Sequence, residues 1–168
     1  QRRWNKLYRS YAKKIFTLLV LSVVLLGCTS VPLSFGGARP TEKIESFETV
    51  TLRISGMRGT TDYEIVMKGD AAQVTEYRIR YDMDEKRVPE RQAACSAEKV
   101  MKLLNDCELT AWDGFHGKHP SGVKDGIMFS LQATVNNGRK IKAEGSENFP
   151  KHFREFRDGL HAMLSQKK

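Results

Sequence analysis

The side chains most able to do chemistry in this chain lie close together between Trp112 and His119. Asp113, His116 and His119 follow one another at intervals of three, which places one carboxylate and two imidazoles within seven residues. These groups bind zinc in other proteins, but zinc sites there use a defined framework and often a fourth protein ligand. Glycines interrupt this segment, so we predict no metal and no cofactor, and interpret it as a surface loop.

Aromatic and basic residues share the same segment and form a candidate binding surface. Binding residues occur on loops more often than the length of loops alone would predict, and aromatic side chains are enriched at interfaces. A competing interpretation, which we favour for Trp112, is that its ring fills the end of the hydrophobic core. The candidate binding residues are Trp112, Phe115, His116, Lys118 and His119.

No recognised catalytic motif accompanies these residues. The sequence has no Gly-x-Ser-x-Gly elbow, His-Glu-x-x-His pair, P-loop or dinucleotide fingerprint. Cys95 and Cys107 enclose a stretch with a helical pattern, which would hold their Cα atoms about 18 Å apart. A disulfide needs about 4.4–6.8 Å. We therefore predict that both are unpaired, small buried hydrophobes. Because no catalytic motif is present, we favour a protein that is not an enzyme and keep an enzyme as the alternative.

The N-terminal region has the layout of a secretory signal peptide. Basic residues end at Lys13 and Lys14, twelve mostly apolar residues follow from Ile15 to Leu26, and Gly27 precedes Cys28. A helix of that length rises about 18 Å, whereas the hydrocarbon core of a bilayer is about 30 Å thick. The run is therefore too short for a membrane span. Because the sequence begins at Gln1 and not at Met, we expect further residues upstream.

The four residues Leu25-Leu26-Gly27-Cys28 resemble the lipobox of bacterial lipoproteins. That resemblance implies a diacylglyceryl group on the Cys28 thiol, with acyl chains such as palmitate, and cleavage just before Cys28. It also implies attachment to the outside of a membrane in a bacterial cell envelope. The alternative is an uncleaved anchor with an incidental cysteine.

The charge of the chain changes once this segment is set aside. The whole sequence has 28 Lys and Arg against 20 Asp and Glu, a net charge of +8. Six of the basic residues and none of the acids precede Cys28, which leaves 22 against 20. Nucleic-acid binding requires a basic patch on the folded domain, and we find none in the mature sequence.

We divide the chain into three parts. Residues 1–27 are the predicted signal peptide, and residues 28–46 are the lipidated cysteine and a flexible tether that contains Pro32 and Pro40. Residues 47–168 are a single extracytoplasmic domain, long enough to build its own core.

Alternating apolar residues predict the strands of this domain. The first run starts at Thr49, and later runs surround Ile65, Ile79 and Leu131. Val74 has the opposite parity to the run that follows it, which predicts a bulge or a strand that starts near Thr75. Charge and a proline predict a surface loop over 82–94. Asn136-Asn137-Gly138 predicts a tight hairpin turn.

Two amphipathic helices complete the fold. Ser96 is a suitable N-cap for the first, and Pro150 suits the first position of the second. Val100, Leu103, Leu104 and Cys107 form one face of the first helix, and Phe149, Phe153, Phe156, Leu160, Met163 and Leu164 follow the helical period in the second. We predict an α+β two-layer sandwich, an antiparallel sheet of about five strands with two helices on one face.

The C-terminal part resembles uncharacterised domains found in bacterial lipoproteins. The resemblance rests on Asp125-Gly126 through Leu131, followed by Gly145, Asn148, Pro150 and Phe153. It implies secretion and a mixed α/β fold, with no activity attached. We expect a membrane-anchored envelope lipoprotein whose domain binds a protein, peptide or wall component. The alternatives are an envelope enzyme that uses the loop from Trp112 to His119, or an inhibitor of a secreted enzyme.

Overall fold

The computed structural model describes residues 41–81 and 86–165, which form one seven-stranded sheet and two α-helices. The strands are β1 (Phe47–Gly56), β2 (Gly59–Lys68), β3 (Ala71–Arg80), β4 (Lys86–Ser96), β5 (Phe115–Gly117), β6 (Met128–Val135) and β7 (Arg139–Ser146). The helices are α1 (Ala97–Asp106) and α2 (Phe153–Leu164), and a 3-10 helix covers Leu109–Trp112. The predicted signal peptide, Cys28 and the tether up to residue 40 lie outside the described residues.

The sheet has the strand order β4-β3-β2-β1-β6-β7-β5. Strands β1 to β4 form an antiparallel meander, and the hairpin of β6 and β7 joins it through β1. Only β5 runs parallel to its neighbour, β7. The predicted α+β class is confirmed, with seven strands in the described chain where we predicted about five.

Both helices pack their apolar faces on one side of the sheet. Ser96 accepts a hydrogen bond from the N–H of Lys99 at 3.3 Å and caps α1, as predicted. Phe156 and Leu160 of α2 are fully buried, and they belong to one core cluster with the inward residues of the strands. The two buried cysteines, Cys95 and Cys107, are free and flank α1.

Strand β4 replaces much of the loop that we predicted over 82–94, and this prediction was wrong. Pro89 argued against a strand because it lacks the N–H of a sheet ladder. It is tolerated because β4 is an edge strand, and because the register shifts beside Pro89, between Glu76 and Tyr77 of β3. The charged residues of β4 protect this edge from pairing with another chain.

Strand β3 starts earlier than predicted and contains no bulge in its pairing with β2. Its register runs without interruption from Ala71 to Arg78. Val74 lies opposite Ile65 and is fully buried under the helices. Tyr77 and Ile79, which we predicted as the inward residues, therefore lie on the other side of the sheet. We refer to that side, opposite the helices, as the open face.

The predicted hairpin turn is confirmed, and the predicted start of the last helix is not. Asn136 and Asn137 have φ values of 43° and 60°, in the left-handed region that Asn tolerates. The last helix begins at Phe153 and not at Pro150, because His152 has a φ of 63° and breaks the helical backbone just before it.

The chain that precedes β1 packs on the domain. Ile44 is buried, its N–H donates to Asn105 Oδ1 at 2.8 Å, and its carbonyl accepts from Asn105 Nδ2 at 2.9 Å. Asn136 Oδ1 likewise accepts from the N–H of Glu45 at 2.8 Å. The folded domain therefore includes residues near Ile44 that we had assigned to the tether. Within the described ranges, no helix is long and apolar enough to cross a membrane.

Candidate functional site

A cleft of about 800 Å³ lies at one end of the sheet, where three chain segments meet. The turn between β1 and β2 forms one side, the end of β3 forms another, and the segment from Asp125 to Ile127 forms the third. We call this the end cleft. Its lining residues are Ile54, Ser55, Gly56, Met57, Arg58, Gly59, Thr60, Thr61, Arg78, Ile79, Arg80, Tyr81, Asp125, Gly126 and Ile127.

The end cleft gathers the exposed apolar surface of the domain. Five large hydrophobic side chains are exposed among the described residues, by between 39% and 82%: Met57, Tyr81, Val123, Ile127 and Met128. Three of them line the end cleft. Met128 is paired with Ser55 at its edge, and Val123 lies four residues before Ile127. Exposed apolar side chains that line one concave surface suit an interaction site.

The turn between β1 and β2 holds Met57 out into solvent. Gly56 pairs with Gly59, so the turn has only two residues between its paired ends. Gly59 has a φ of 118°, a conformation that L side chains rarely adopt. Met57 and Arg58 therefore form the tip of a tight hairpin and not part of a flexible loop.

Glu147 fixes the opposite wall of the end cleft. Its backbone N–H donates to the carbonyl of Ile127 at 2.9 Å, and its carboxylate accepts a short hydrogen bond from the N–H of Ile127. A Cβ atom added to Gly126 would lie 2.7 Å from Glu147 Cγ, so this close approach requires glycine. Both bonds use the backbone of Ile127, which leaves its side chain free to meet a ligand.

His119, one of the predicted binding residues, supports this wall. Its Nε2 lies 2.7 Å from the carbonyl oxygen of Val123, and its Nδ1 lies 2.8 Å from Ser146 Oγ. A carbonyl can only accept, so Nε2 carries the proton and Nδ1 accepts from the serine hydroxyl. Both ring nitrogens are used to hold the loop against β7.

The other predicted binding residues do not converge on one site. Trp112 is buried and packs edge to face on Phe156 at 5.6 Å, which agrees with the interpretation that it fills the core. Phe115 is half-buried, and its ring lies 6.1 Å from Phe129. His116 is exposed and its Nδ1 lies 2.8 Å from a carboxylate oxygen of Glu144.

The remaining members of the predicted cluster add no reactive centre. Lys118 is exposed, and Asp113 accepts a hydrogen bond from the N–H of Lys142 at 3.3 Å. Across residues 41–81 and 86–165, no group of three His, Cys, Asp or Glu side chains is arranged to hold a metal ion.

A second groove, of about 520 Å³, lies beside the end cleft at the start of α2. We call it the helix groove. Ile54 and Ile127 line both depressions, so the two share a wall. The other residues of the helix groove are Glu147, Phe149, Pro150, His152, Phe153, Arg154, Glu155 and Arg157.

The open face carries ion pairs in place of apolar surface. Arg53 binds Asp62 through two hydrogen bonds, of 2.8 and 2.9 Å, and Arg87 Nε lies 3.2 Å from the same carboxylate. The Arg87 guanidinium also lies 3.9 Å above the ring of Tyr77 and 3.3 Å from a carboxylate oxygen of Glu64. These charged groups satisfy one another.

A partly buried chain of polar side chains links α2 to the sheet. Tyr63 Oη lies 3.0 Å from His161 Nε2, and Arg91 donates to His161 Nδ1 at 3.1 Å. Arg91 also binds the carboxylate of Glu76. Burial raises the pKa of Tyr63 to about 12, and the nearby Glu76 charge adds to this effect. None of these side chains lines the end cleft or the helix groove.

The described lining of the end cleft is mostly apolar, with arginines and a few hydroxyl groups beside it. Its described lining contains no histidine, cysteine or lysine, and its one carboxylate is Asp125. Thr60 Oγ1 lies 2.6 Å from Tyr81 Oη, so these two hydroxyl groups are hydrogen-bonded to each other. The cleft combines apolar side chains with arginines, an arrangement that suits recognition of a ligand.

Sequence patterns pointed only weakly to these residues. Gly56 and Gly59 predict a turn, and a methionine inside a two-residue turn is exposed by geometry. This turn pattern is the only feature of the sequence that indicates an exposed Met57. Nothing in the sequence links the turn to Ile127, because β6 comes to lie beside β1 only through the tertiary fold.

Comparison with known proteins adds no relative: no protein-family model, no curated protein and no solved structure matches this chain.

Proposed function

We propose that this chain is a lipid-anchored protein of the bacterial cell envelope whose domain binds a partner protein at the end cleft. The observation that carries the proposal is that three of the five large hydrophobic side chains exposed among the described residues, Met57, Tyr81 and Ile127, line this one cleft. Their exposure costs solvation free energy, about 25 cal/mol for each Å² that a partner could bury. The lipid anchor rests on the resemblance of the residues around Cys28 to a lipobox.

The direction of β1 fixes where the end cleft lies relative to the start of the sheet. The chain reaches β1 at Phe47, after Glu42 has paired with Arg139 and Ile44 with Asn105. Strand β1 then runs ten residues to Gly56 at the end cleft, about 30 Å at 3.3 Å per residue. The end cleft therefore lies at the opposite end of β1 from Phe47, where the described chain enters the sheet.

Site-specific photo-cross-linking in intact cells tests the proposal. A photoreactive phenylalanine analogue replaces Met57 in one variant and the exposed Asn137, at the other end of the sheet, in a control. We expect a discrete adduct from position 57 and none of that mass from position 137. The same adduct pattern at both positions, or no adduct from position 57, would contradict the proposal.

The hairpin tip favours a second function, inhibition of a secreted enzyme. Met57 and Arg58 protrude on a turn whose ends are fixed by strand pairing, and a rigid protruding turn can enter an active site. The two functions separate in the cross-linking experiment. An inhibitor predicts that the adduct partner is a hydrolase that regains activity when Met57→Asp replaces the native residue, whereas a plain binding partner shows no such change.

The geometry gives less support to an enzyme that uses the segment from Trp112 to His119. Trp112 is buried, His116 is paired with Glu144, and both nitrogens of His119 are bonded within the loop.

A further inference from the structure

The end cleft and the helix groove together have the length of a short extended peptide. The combined groove runs from Tyr81, just after β3, to Arg154 on α2. From β3 to β1 the groove crosses two strand spacings, about 10 Å, and the step to the helix layer adds about 10 Å. A total of about 20 Å corresponds to six residues of extended chain at about 3.3 Å each.

The middle of this path is apolar. Ile54 and Ile127 are shared by the two depressions, and the helix groove adds the rings of Phe149 and Phe153. Neither depression is an enclosed cavity. An acyl chain would leave much of its surface in water there, whereas an extended peptide can bury alternate side chains and keep its backbone hydrated.

Arginines line both depressions. Five arginines and three acids contribute to the combined lining: Arg58, Arg78, Arg80, Arg154 and Arg157, with Asp125, Glu147 and Glu155. Three further acids, Asp82, Asp84 and Glu85, follow Tyr81 in the chain and lie outside the described residues.

Internal bonds already occupy several of these charges. Glu147 accepts the N–H of Ile127, and Arg78 lies 2.8 Å from Glu90. Within residues 41–81 and 86–165, Arg58 and Arg154 have no carboxylate at ion-pairing distance. One of these two arginines lines the end cleft and the other the helix groove, on either side of the shared apolar wall.

We infer that the partner presents an extended segment of about six residues with apolar side chains in its centre and a carboxylate on either side of them. The apolar residues lie over Ile54 and Ile127, and the carboxylates meet Arg58 and Arg154, which can bind them through paired N–H donors. This inference rests on the proposed function, because it specifies the chemistry of the ligand that the same cleft would bind.

Fluorescence anisotropy with the full chain in detergent micelles tests the charge requirement. The probes are two labelled hexapeptides, Glu-Leu-Val-Ile-Leu-Glu and Lys-Leu-Val-Ile-Leu-Lys. We expect the acidic peptide to bind at least tenfold more tightly at low ionic strength, with the difference shrinking as salt is added. The double variant Arg58→Glu/Arg154→Glu should lose at least tenfold in affinity for the acidic peptide and reverse the preference.

A matched control changes the same number of charges elsewhere. Lys99→Glu/Lys140→Glu alters one residue on α1 and one on β7, both exposed and outside the two depressions. Its affinity for the acidic peptide should stay within twofold of the parent.

Three outcomes would overturn the inference: equal affinity for the two peptides, a charge reversal without effect, or loss of affinity in the control to the same degree. Binding of the parent to phosphatidylglycerol vesicles, lost in the reversal while neither peptide binds, would instead assign the arginines to a lipid surface. If the cross-link from position 57 persists in any of these cases, the proposed function stands and only the acidic ligand is wrong. If that cross-link is absent as well, the proposed function fails first.

Discussion

The end cleft and the open face are both free of covering helices, yet they use their side chains in opposite ways. On the open face, Arg53, Asp62 and Arg87 bind one another, so their hydrogen-bonding capacity is used within the domain. At the end cleft, Met57 and Ile127 are exposed with no apolar layer above them. Charged side chains that pair with one another are stable in contact with water, whereas exposed apolar side chains are stabilised when a partner covers them.

The largest expected effect concerns the core that lies beneath both surfaces. Phe156 is fully buried and its ring packs edge to face on Trp112. Phe156→Ala should lower the free energy of unfolding by about 3–5 kcal/mol, the usual range for a buried aromatic residue. Urea denaturation followed by circular dichroism measures it. A loss below about 1 kcal/mol would show that α2 does not pack on the sheet as described.

Removal of the charge at the centre of the open face should have the next largest effect. Asp62 is buried, whereas its partners Arg53 and Arg87 are partly exposed and can be solvated again. Asp62→Ala should therefore cost about 2 kcal/mol, below the range for a fully buried pair. Glu144→Ala removes an exposed carboxylate and should cost at most about 0.5 kcal/mol. Equal losses in the two variants would mean that the ion pairs of Asp62 stabilise the fold no more than one exposed ion pair does.

Alkaline pH should weaken the domain through groups that are buried as neutral acids. Burial raises the pKa of Tyr63 to about 12 and that of Cys107 to about 11. Above their ordinary values, near 10 and 9, the unfolded chain loses these protons while the folded chain keeps them. Stability therefore falls as the pH rises from about 9 to 12, by at most about 1.4 kcal/mol per pH unit for each group.

Unfolding titrations at several pH values measure this slope. Tyr63→Phe should flatten it above pH 10, whatever its effect on absolute stability. An identical slope in Tyr63→Phe and the parent would show that Tyr63 is not responsible.

The smallest expected change in stability belongs to the end cleft itself. Met57→Glu and Ile127→Glu place a charge on exposed positions, so the free energy of unfolding should change by no more than about 0.5 kcal/mol. Thermal melts of both variants beside the parent test this. A loss above about 2 kcal/mol in either would indicate that the side chain belongs to the core and not to a binding surface.

The contrast between local and distant contacts explains which elements the sequence predicts. Strand β6 and helix α1 were predicted because their apolar period and the Ser96 cap are local properties of the chain. Strand β4 was missed because Pro89 is tolerated only at a sheet edge, and edge position depends on the whole topology. The parity of Val74 and Tyr77 was misjudged because β3 carries apolar residues on both faces.

The candidate site was harder to predict for a related reason. Histidine and tryptophan attract attention in a sequence, but here His119 holds a loop and Trp112 fills the core. Met57 and Ile127 are unremarkable residue types that become a surface only when β6 pairs with β1. Exposure of apolar residues is a property of the folded chain, which composition and spacing do not reveal.

The most direct test of the end cleft compares two variants that carry the photoreactive residue at position 57. Ile127→Glu places a charge in the cleft wall, and Gln132→Glu places one at an exposed position on the open face. We predict that Ile127→Glu reduces the yield of the cross-linked adduct at least tenfold, while Gln132→Glu keeps it within twofold and both melt within about 3 °C of the parent. Retention of the adduct in Ile127→Glu together with its loss in Gln132→Glu would place the partner on the open face and contradict the account.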